Sequence, residues 1–322
     1  MALNESVKPI AVLFNPSSGR GRSSRIQNRI ESLLKSHGID YRFFVSQSED
    51  HLKQLAAQTV YGYSSIVAVG GDTTFDIIAR EILGSSSYTT MGMIGTGSAN
   101  DIVRAIGVNS IETACRVIKE ATTREMDVAS LQIKDSSTPI HFLGTLSAGL
   151  GVTVNRYVDD FFKRHPRLVR ANPAAQSFAG LSGILNSFSQ RKIPLTAKIE
   201  FQTEGERDTT RKEIQFSLLV VLNTPYYANG LVLSPSAGLF DQCLDLCIIQ
   251  TSSIFPTLRT AFNVLRGNSS KDPRISCFRS SAFRISTDVP IDIQVDGEII
   301  SSVKEFTVSL FHRKLTIYAP IP

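Results

Sequence analysis

The sequence predicts an α/β domain with a parallel sheet followed by an all-β sandwich domain, with the join near Asp127. Three observations predict it. Up to about residue 126, short buried-type apolar runs alternate with segments of helical apolar spacing. Three of those runs end in turns of small residues. Beyond Met126-Asp127-Val128 the texture changes to closely spaced β-rich segments. The two domains are therefore set at residues 1–127 and 128–322.

Pro9 to Phe14 reads as a buried strand that runs into Asn15-Pro16-Ser17-Ser18-Gly19-Arg20-Gly21-Arg22, a turn with exposed amides and two cations that suits phosphate. It has neither the lysine of a P-loop nor the dinucleotide G-x-G-x-x-G. Ser23 to His37 is helical by spacing, Tyr41 to Val45 is a strand ending at Ser46, and Leu52 to Gln58 is helical again. Ile66-Val67-Ala68-Val69 is the central buried strand. It leads through Gly70-Gly71-Asp72-Thr73-Thr74-Phe75 into a helix over Asp76 to Leu83, with the acid between strand end and helix start. Thr90 to Ile94 and the turn Gly95-Thr96-Gly97-Ser98-Ala99-Asn100-Asp101 repeat the pattern. In a parallel sheet with right-handed crossovers, ligands collect at the carboxyl ends of strands, which places Asn15, Ser46 and Asp72 on one edge.

The β-rich segments of the second domain are Ala129–Ile133, Ile140–Leu146, Leu195–Phe201, Glu213–Leu222, Leu244–Gln250, Ser281–Ser286, Ile291–Val295, Glu305–Phe311 and Lys314–Ala319. Between them, about Val154 to Gln190 is helical. It contains Phe161 to Arg170, where aromatics mixed with cations suit either anionic headgroups or a solvated helix end.

Composition narrows the partners. A balance of 34 Lys and Arg against 29 Asp and Glu is too mild to argue for nucleic acid, but it helps docking to an anionic membrane or a polyphosphate. The four cysteines show neither CxxC spacing nor zinc spacing, and read as reduced core residues of a cytosolic protein. No signal-peptide pattern and no apolar run of spanning length is present, so a cytoplasmic protein is expected, and any work on lipid would be done from the membrane surface.

Taken together, these motifs resemble the diacylglycerol kinase catalytic family, which includes soluble bacterial lipid kinases and the sphingosine and ceramide kinases. Asn15 to Gly21 is similar to N-P-x-x-G-x-G, Gly70 to Thr74 to G-G-D-G-T, and Thr96 to Asp101 to T-G-S-G-N-[DG]. Ser234 to Asp245 resembles A-P-x-A-x-x-x-D-G-x-L-D, and Asp296-Gly297-Glu298 matches D-G-E. The ordered set spans nearly the whole chain.

The resemblance implies a nucleotide-binding α/β domain, a β-sandwich lipid-substrate domain, and an active site in the cleft between them. It implies ATP on Asn15, Ser46, Gly70, Gly71, Asp72, Thr73, Thr74, Phe75, Thr96 and Asn100, with Asp72 in the Mg²⁺ network. Gly238, Asp241 and Cys243 correspond to a structural metal site, and Glu298 with Asp296 to the proton acceptor. The implied activity is transfer of the γ-phosphoryl group of ATP to a hydroxyl of diacylglycerol or a related lipid, with no nucleic-acid partner, no transmembrane segment and a homodimer allowed. Thr73 replaces a family glycine, which costs strain if that position needs positive φ and room if it approaches a phosphate closely. Gln242 replaces another and bears on the metal site. Two alternatives stay open: an NAD kinase-like enzyme, and a non-catalytic lipid- or nucleotide-binding relative.

Overall fold

The computed structural model describes residues 9–21, 23–165, 173–189, 193–202, 208–228 and 230–321. The chain forms two compact units, one of residues 1–128, 228–230 and 311–322, the other of residues 129–227 and 231–310.

In the first unit, β1 (Ile10–Phe14), α1 (Gln27–Ser36), β2 (Tyr41–Val45), α2 (Glu49–Thr59), β3 (Ser65–Gly70), α3 (Asp72–Gly84), β4 (Thr90–Gly95), α4 (Asp101–Ala105), α5 (Ile111–Glu120) and β5 (Thr123–Met126) follow one another. Two short 3₁₀ turns, Ser18–Gly21 and Ser23–Ile26, precede α1. β2, β1, β3 and β4 lie side by side and parallel. All six residues of β3 are buried, so its run of apolar residues is what a strand covered on both faces requires. α1 packs beside α5, and α2 beside α3. Ser48 and Ser110 cap α2 and α5 by accepting the amides of His51 and Thr113. α3 starts on Asp72, four residues before the helix read from the sequence, because Gly71 is its cap.

The second unit is an antiparallel β-sandwich. It contains β6 (Ala129–Ile133), β7 (Ile140–Phe142), β8 (Thr145–Gly149), α6 (Leu150–Arg164), α7 (Pro173–Ser189), β9 (Leu195–Gln202), β10 (Thr209–Phe216), β11 (Leu218–Leu222), β12 (Tyr226–Tyr227), β13 (Leu231–Val232), β14 (Leu244–Ile249), α8 (Ile254–Leu265), β15 (Ile275–Ser280), β16 (Ala282–Val295) and β17 (Glu298–Leu310). The long β16 links the layers: residues 283–287 pair with β9, and 293–295 with β8. A register shift between Ser286 and Ile291 separates the two. Leu219, Val221, Leu246, Ile248, Phe283 and Ile285 meet in the sandwich core. Val220, Leu222, Cys247 and Ile249 point to the opposite face, where Val154 and Ile184 of the helices pack. β11 is therefore apolar at every position.

Two expectations are corrected here. The segment Lys314–Ala319, assigned to the second domain, forms β18 (Leu315–Tyr318) in the first unit's sheet, parallel to β4 and antiparallel to β5. The cysteines are not all reduced: Cys247 and Cys277 sit directly opposite on β14 and β15 and are disulfide-bonded. Cys115 and Cys243 are free and buried. Burial, with Glu112 nearby, pushes the Cys115 thiol up to about 11.

Candidate active site

Three turns at the carboxyl ends of β1, β3 and β4 enclose a cavity of about 340 Å³ lined by Asn15, Ser17, Ser18, Gly19, Gly71, Asp72, Thr73, Thr74, Gly97, Ser98 and Ala99. The glycines are there for contact. A Cβ on Gly97 would lie 2.5 Å from the Gly71 Cα, and one on Gly70 would lie 2.3 Å from Thr74 Oγ1, so any side chain would push the turns apart. Asn15 Oδ1 accepts the Ser17 amide at 3.0 Å while its Nδ2 donates to Thr74 Oγ1 at 3.0 Å, tying the first turn to the second. Asn100, in the left-handed region at φ 56°, accepts the Gly97 amide at 2.8 Å and closes the third turn on itself. Thr73 carries no positive φ; it is an exposed residue in the first turn of α3, so the feared backbone strain is absent and its side chain simply takes space in the cavity.

Asp72 bridges two turns. Its Oδ2 accepts the Asp101 amide at 3.2 Å and its Oδ1 the Ile102 amide at 3.1 Å, so the carboxylate of one helix start caps the next. Burial raises its pKa above the ordinary value, with the backbone donors working in the opposite direction. The Asp101 carboxyl is also raised, first by burial and then by the charge of Asp72, while Arg104 and the Gly230 amide offset part of this. Asp101 Oδ1 is buried, 3.5 Å from Arg104 Nη1, and accepts no hydrogen bond. Two carboxylates that disfavour each other's charge, each with lone pairs to spare, fit a Mg²⁺ shared with bound phosphates. No group of three or more His, Cys, Asp or Glu that could hold a metal by itself occurs among the described residues. Asp101 was within the motif read from the sequence, yet only its contact with Asp72 marks it as a partner.

The remaining expected nucleotide contacts do not line the cavity. Ser46 is buried, and its amide and hydroxyl reach the Phe14 carbonyl at 2.9 and 3.2 Å. Phe75, in the first turn of α3, is fully buried. Thr96 is buried, donates its amide to the Gly70 carbonyl at 2.7 Å, and has its hydroxyl 2.7 Å from Ser23 Oγ. Gly70 and Asn100 shape the turns from behind.

In the second unit, Asp296 and Gly297 form the two-residue turn of the β16–β17 hairpin, at φ 42° and 100°, with Val295 paired to Glu298. The Asp296 carboxylate accepts three amides, from Leu143 at 2.9 Å, Gly144 at 3.0 Å and Thr145 at 2.6 Å. A Cβ on Gly144 would lie 2.7 Å from Asp296 Oδ1, which is why that position is glycine. Asp296 is an anchor; Glu298, beside it, is exposed. Gly238, Asp241 and Cys243 do come together: Asp241 Oδ1 accepts the Cys243 amide at 3.1 Å, and the open face of Gly238 lies against Asp241 Oδ2. Arg279 Nη2, however, stands 2.7 Å from that same oxygen, and a guanidinium there does not fit a divalent cation.

Along α6, Phe161 stacks on His165 with ring centres 4.6 Å apart and meets Phe162 edge-on at 5.4 Å. Residues 166–170 of that expected membrane-facing stretch lie outside the described residues. A second cavity, of about 780 Å³, lies between α6 and the bulged part of β16, with Arg156, Arg164, Phe161, Leu195 and Ile291 among its walls. Among the described residues no helix is long and apolar enough to cross a membrane.

Residues 9–131 match the model of the diacylglycerol kinase catalytic domain, and residues 144–318 that of the YegS C-terminal NAD kinase beta sandwich-like domain. Diacylglycerol kinase of Staphylococcus aureus is 22% identical, with 97% of this chain and 93% of that one covered. Diacylglycerol kinase of Mycobacterium tuberculosis is also 22% identical, covering 90% and 88%. The crystal structure of a diacylglycerol kinase from Bacillus anthracis superposes with a TM-score of 0.68 at 16% identity, over 98% of each chain, which shows the common fold. With two consecutive domain models of one architecture matched across most of its length, the chain belongs to the diacylglycerol kinase catalytic family.

Proposed function

We propose that this protein is an ATP- and Mg²⁺-dependent lipid kinase that phosphorylates a free hydroxyl of diacylglycerol or a related lipid. The observation that carries this reading is the meeting of three small-residue turns around one cavity beside the Asp72–Asp101 pair, in a chain of this family. The hydroxyls of Ser17, Ser18 and Ser98, with the Ser98 amide, would take the phosphates, while the Ser17, Ser18 and Gly97 amides hold the turns in shape. Asp72 and Asp101 would hold Mg²⁺, which when bound offsets the charge spreading over the phosphoryl oxygens.

In the reaction, the lipid hydroxyl oxygen bonds to the γ-phosphorus, the bond from that phosphorus to the bridging oxygen breaks, and ADP leaves. The hydroxyl proton passes to the Glu298 carboxylate, whose exposure supports this role. Asp296 is a positioning residue: with its oxygens engaged by three amides, it fixes the turn from which Glu298 emerges. The 780 Å³ cavity, with aromatic and aliphatic walls and arginines among them, has the size and mixed character that an amphipathic acceptor needs. Thr73 brings no backbone strain to the site, since its backbone is ordinary helix, although its side chain takes space in the cavity.

The test is transfer of label from γ-labelled ATP to a lipid panel and, in parallel, to NAD. Label in lipid alone, lost in Asp72→Ala and in Glu298→Ala, with ATP affinity falling mainly in the first, is the expected result. Label in NAD, or nucleotide binding with no transfer to any acceptor, overturns the proposal.

A further inference from the structure

The loop from Ser234 to Asp245 gathers two carboxylates near the start of β14, and its sequence is the one from which a structural cation is expected. What meets the carboxylates is an arginine of the neighbouring strand. Arg279 is paired with Asp245 across the β14–β15 ladder, which sends its side chain over the loop. Its Nη2 lies 2.7 Å from Asp241 Oδ2, its Nη1 lies 3.4 Å from the Ser236 carbonyl, and it bonds the Cys243 side chain. The other carboxylate is held from within through one oxygen: Asp245 Oδ2 accepts the Ser234 hydroxyl and, at 2.7 Å, the Ser236 hydroxyl, while its Oδ1 is buried and accepts no hydrogen bond.

We propose that Arg279 takes the place of the divalent cation, so that this loop is clamped by a guanidinium and folds independently of metal. A divalent ion wants several oxygen ligands at about 2.0–2.6 Å. Any ion so placed on Asp241 would stand against a fixed positive charge already hydrogen-bonded to the same oxygen. Gln242 adds to the picture. It holds φ at 59°, a conformation that glycine would adopt without strain, so the loop keeps its shape although the residue has changed. The clamp also fastens β15, an edge strand, at a second point beside the Cys247–Cys277 bond. This inference stands on the second unit alone and does not depend on the kinase reading.

The test uses the full chain, free of nucleotide and treated with chelator, titrated with Mn²⁺ and followed by electron paramagnetic resonance. Wild type and Asp241→Asn are expected to bind Mn²⁺ alike, because no site uses Asp241. Arg279→Gln, which uncovers the carboxylates, is expected to gain a site at least tenfold tighter, lost again in Arg279→Gln/Asp241→Asn, and a melting temperature that rises with Mg²⁺. A wild-type site abolished by Asp241→Asn overturns the proposal, as does Arg279→Gln binding no more tightly than wild type. Should Arg279→Gln fail to fold, the wild-type and Asp241→Asn pair decides.

Discussion

The Gly-Gly-Asp turn of the first unit and the Asp-Gly-Glu turn of the second use the same device: a carboxylate taken up by backbone amides. They differ in what the device leaves over. Asp72 accepts two amides and lines a cavity; Asp296 accepts three and lines none of the cavities described above. An acid in a glycine-rich motif thus has two placements, at a cavity wall or away from one, and the cavity separates them. In the second unit the proposed general base is the exposed Glu298, and Asp296, held by the three amides, is the proposed positioning residue.

The largest effect that would sharpen this contrast is on turnover. Glu298→Gln is expected to lower kcat by about 10²–10⁴-fold, the usual worth of a general base, with the melting temperature unchanged. Asp296→Ala should do the reverse, leaving three amides without their acceptor. Urea unfolding is expected to show a loss of about 3 kcal/mol or more, and a stable, merely slow variant would break the comparison.

A third carboxylate tests the purely structural use. Asp272 is buried, with Arg274 Nε at 2.8 Å, Arg274 Nη2 at 2.9 Å and Asn263 Nδ2 at 2.9 Å. Hydrogen bonds from Arg274 hold its carboxyl well below the ordinary 3.8. Because that pKa is lowered on folding, its stabilisation is complete above the unfolded value and is lost as pH falls through the folded one. Asp272→Asn should therefore cost about 2 kcal/mol at neutral pH, and the gap to wild type should narrow progressively in denaturant melts below about pH 4. The smallest effect concerns Thr73. Thr73→Gly is expected to destabilise α3 by up to about 1 kcal/mol and to change kcat/KM by less than about tenfold, or 1.4 kcal/mol. A larger gain in activity would show that the threonine blocks the site after all.

The phosphate-type turns were legible because each depends on residues adjacent in the chain: a buried strand, small residues, then a helical face. The same holds for the order of elements in the first unit as far as the third turn, whereas α5 and β5 carry no such signal and β18 lies far along the chain. What the residues could not disclose are relations across distance. Cys247 and Cys277 are 30 residues apart, and only the register of β14 on β15 makes them partners. Arg279 meets Asp241 for the same reason. Ser46, Phe75 and Thr96 stand in the right motifs but are buried behind the cavity; spacing along a chain does not distinguish a residue that lines a turn from one that supports it. β18 alternates buried and half-buried residues just as sandwich strands do, so its period says strand without saying which sheet.

The insertion of β18 between β4 and β5 sets an order on how this protein can come into being. A ribosome releases residues 1–128 long before residues 315–318, and until the latter arrive β4 shows a bare row of amides and carbonyls along one side. The sandwich, by contrast, can close on itself as a contiguous stretch is made. An expression vector cut at the visible join would therefore yield a first half that lacks an inner strand, and such a fragment is expected to clump unless a peptide covering residues 311–321 is supplied alongside it.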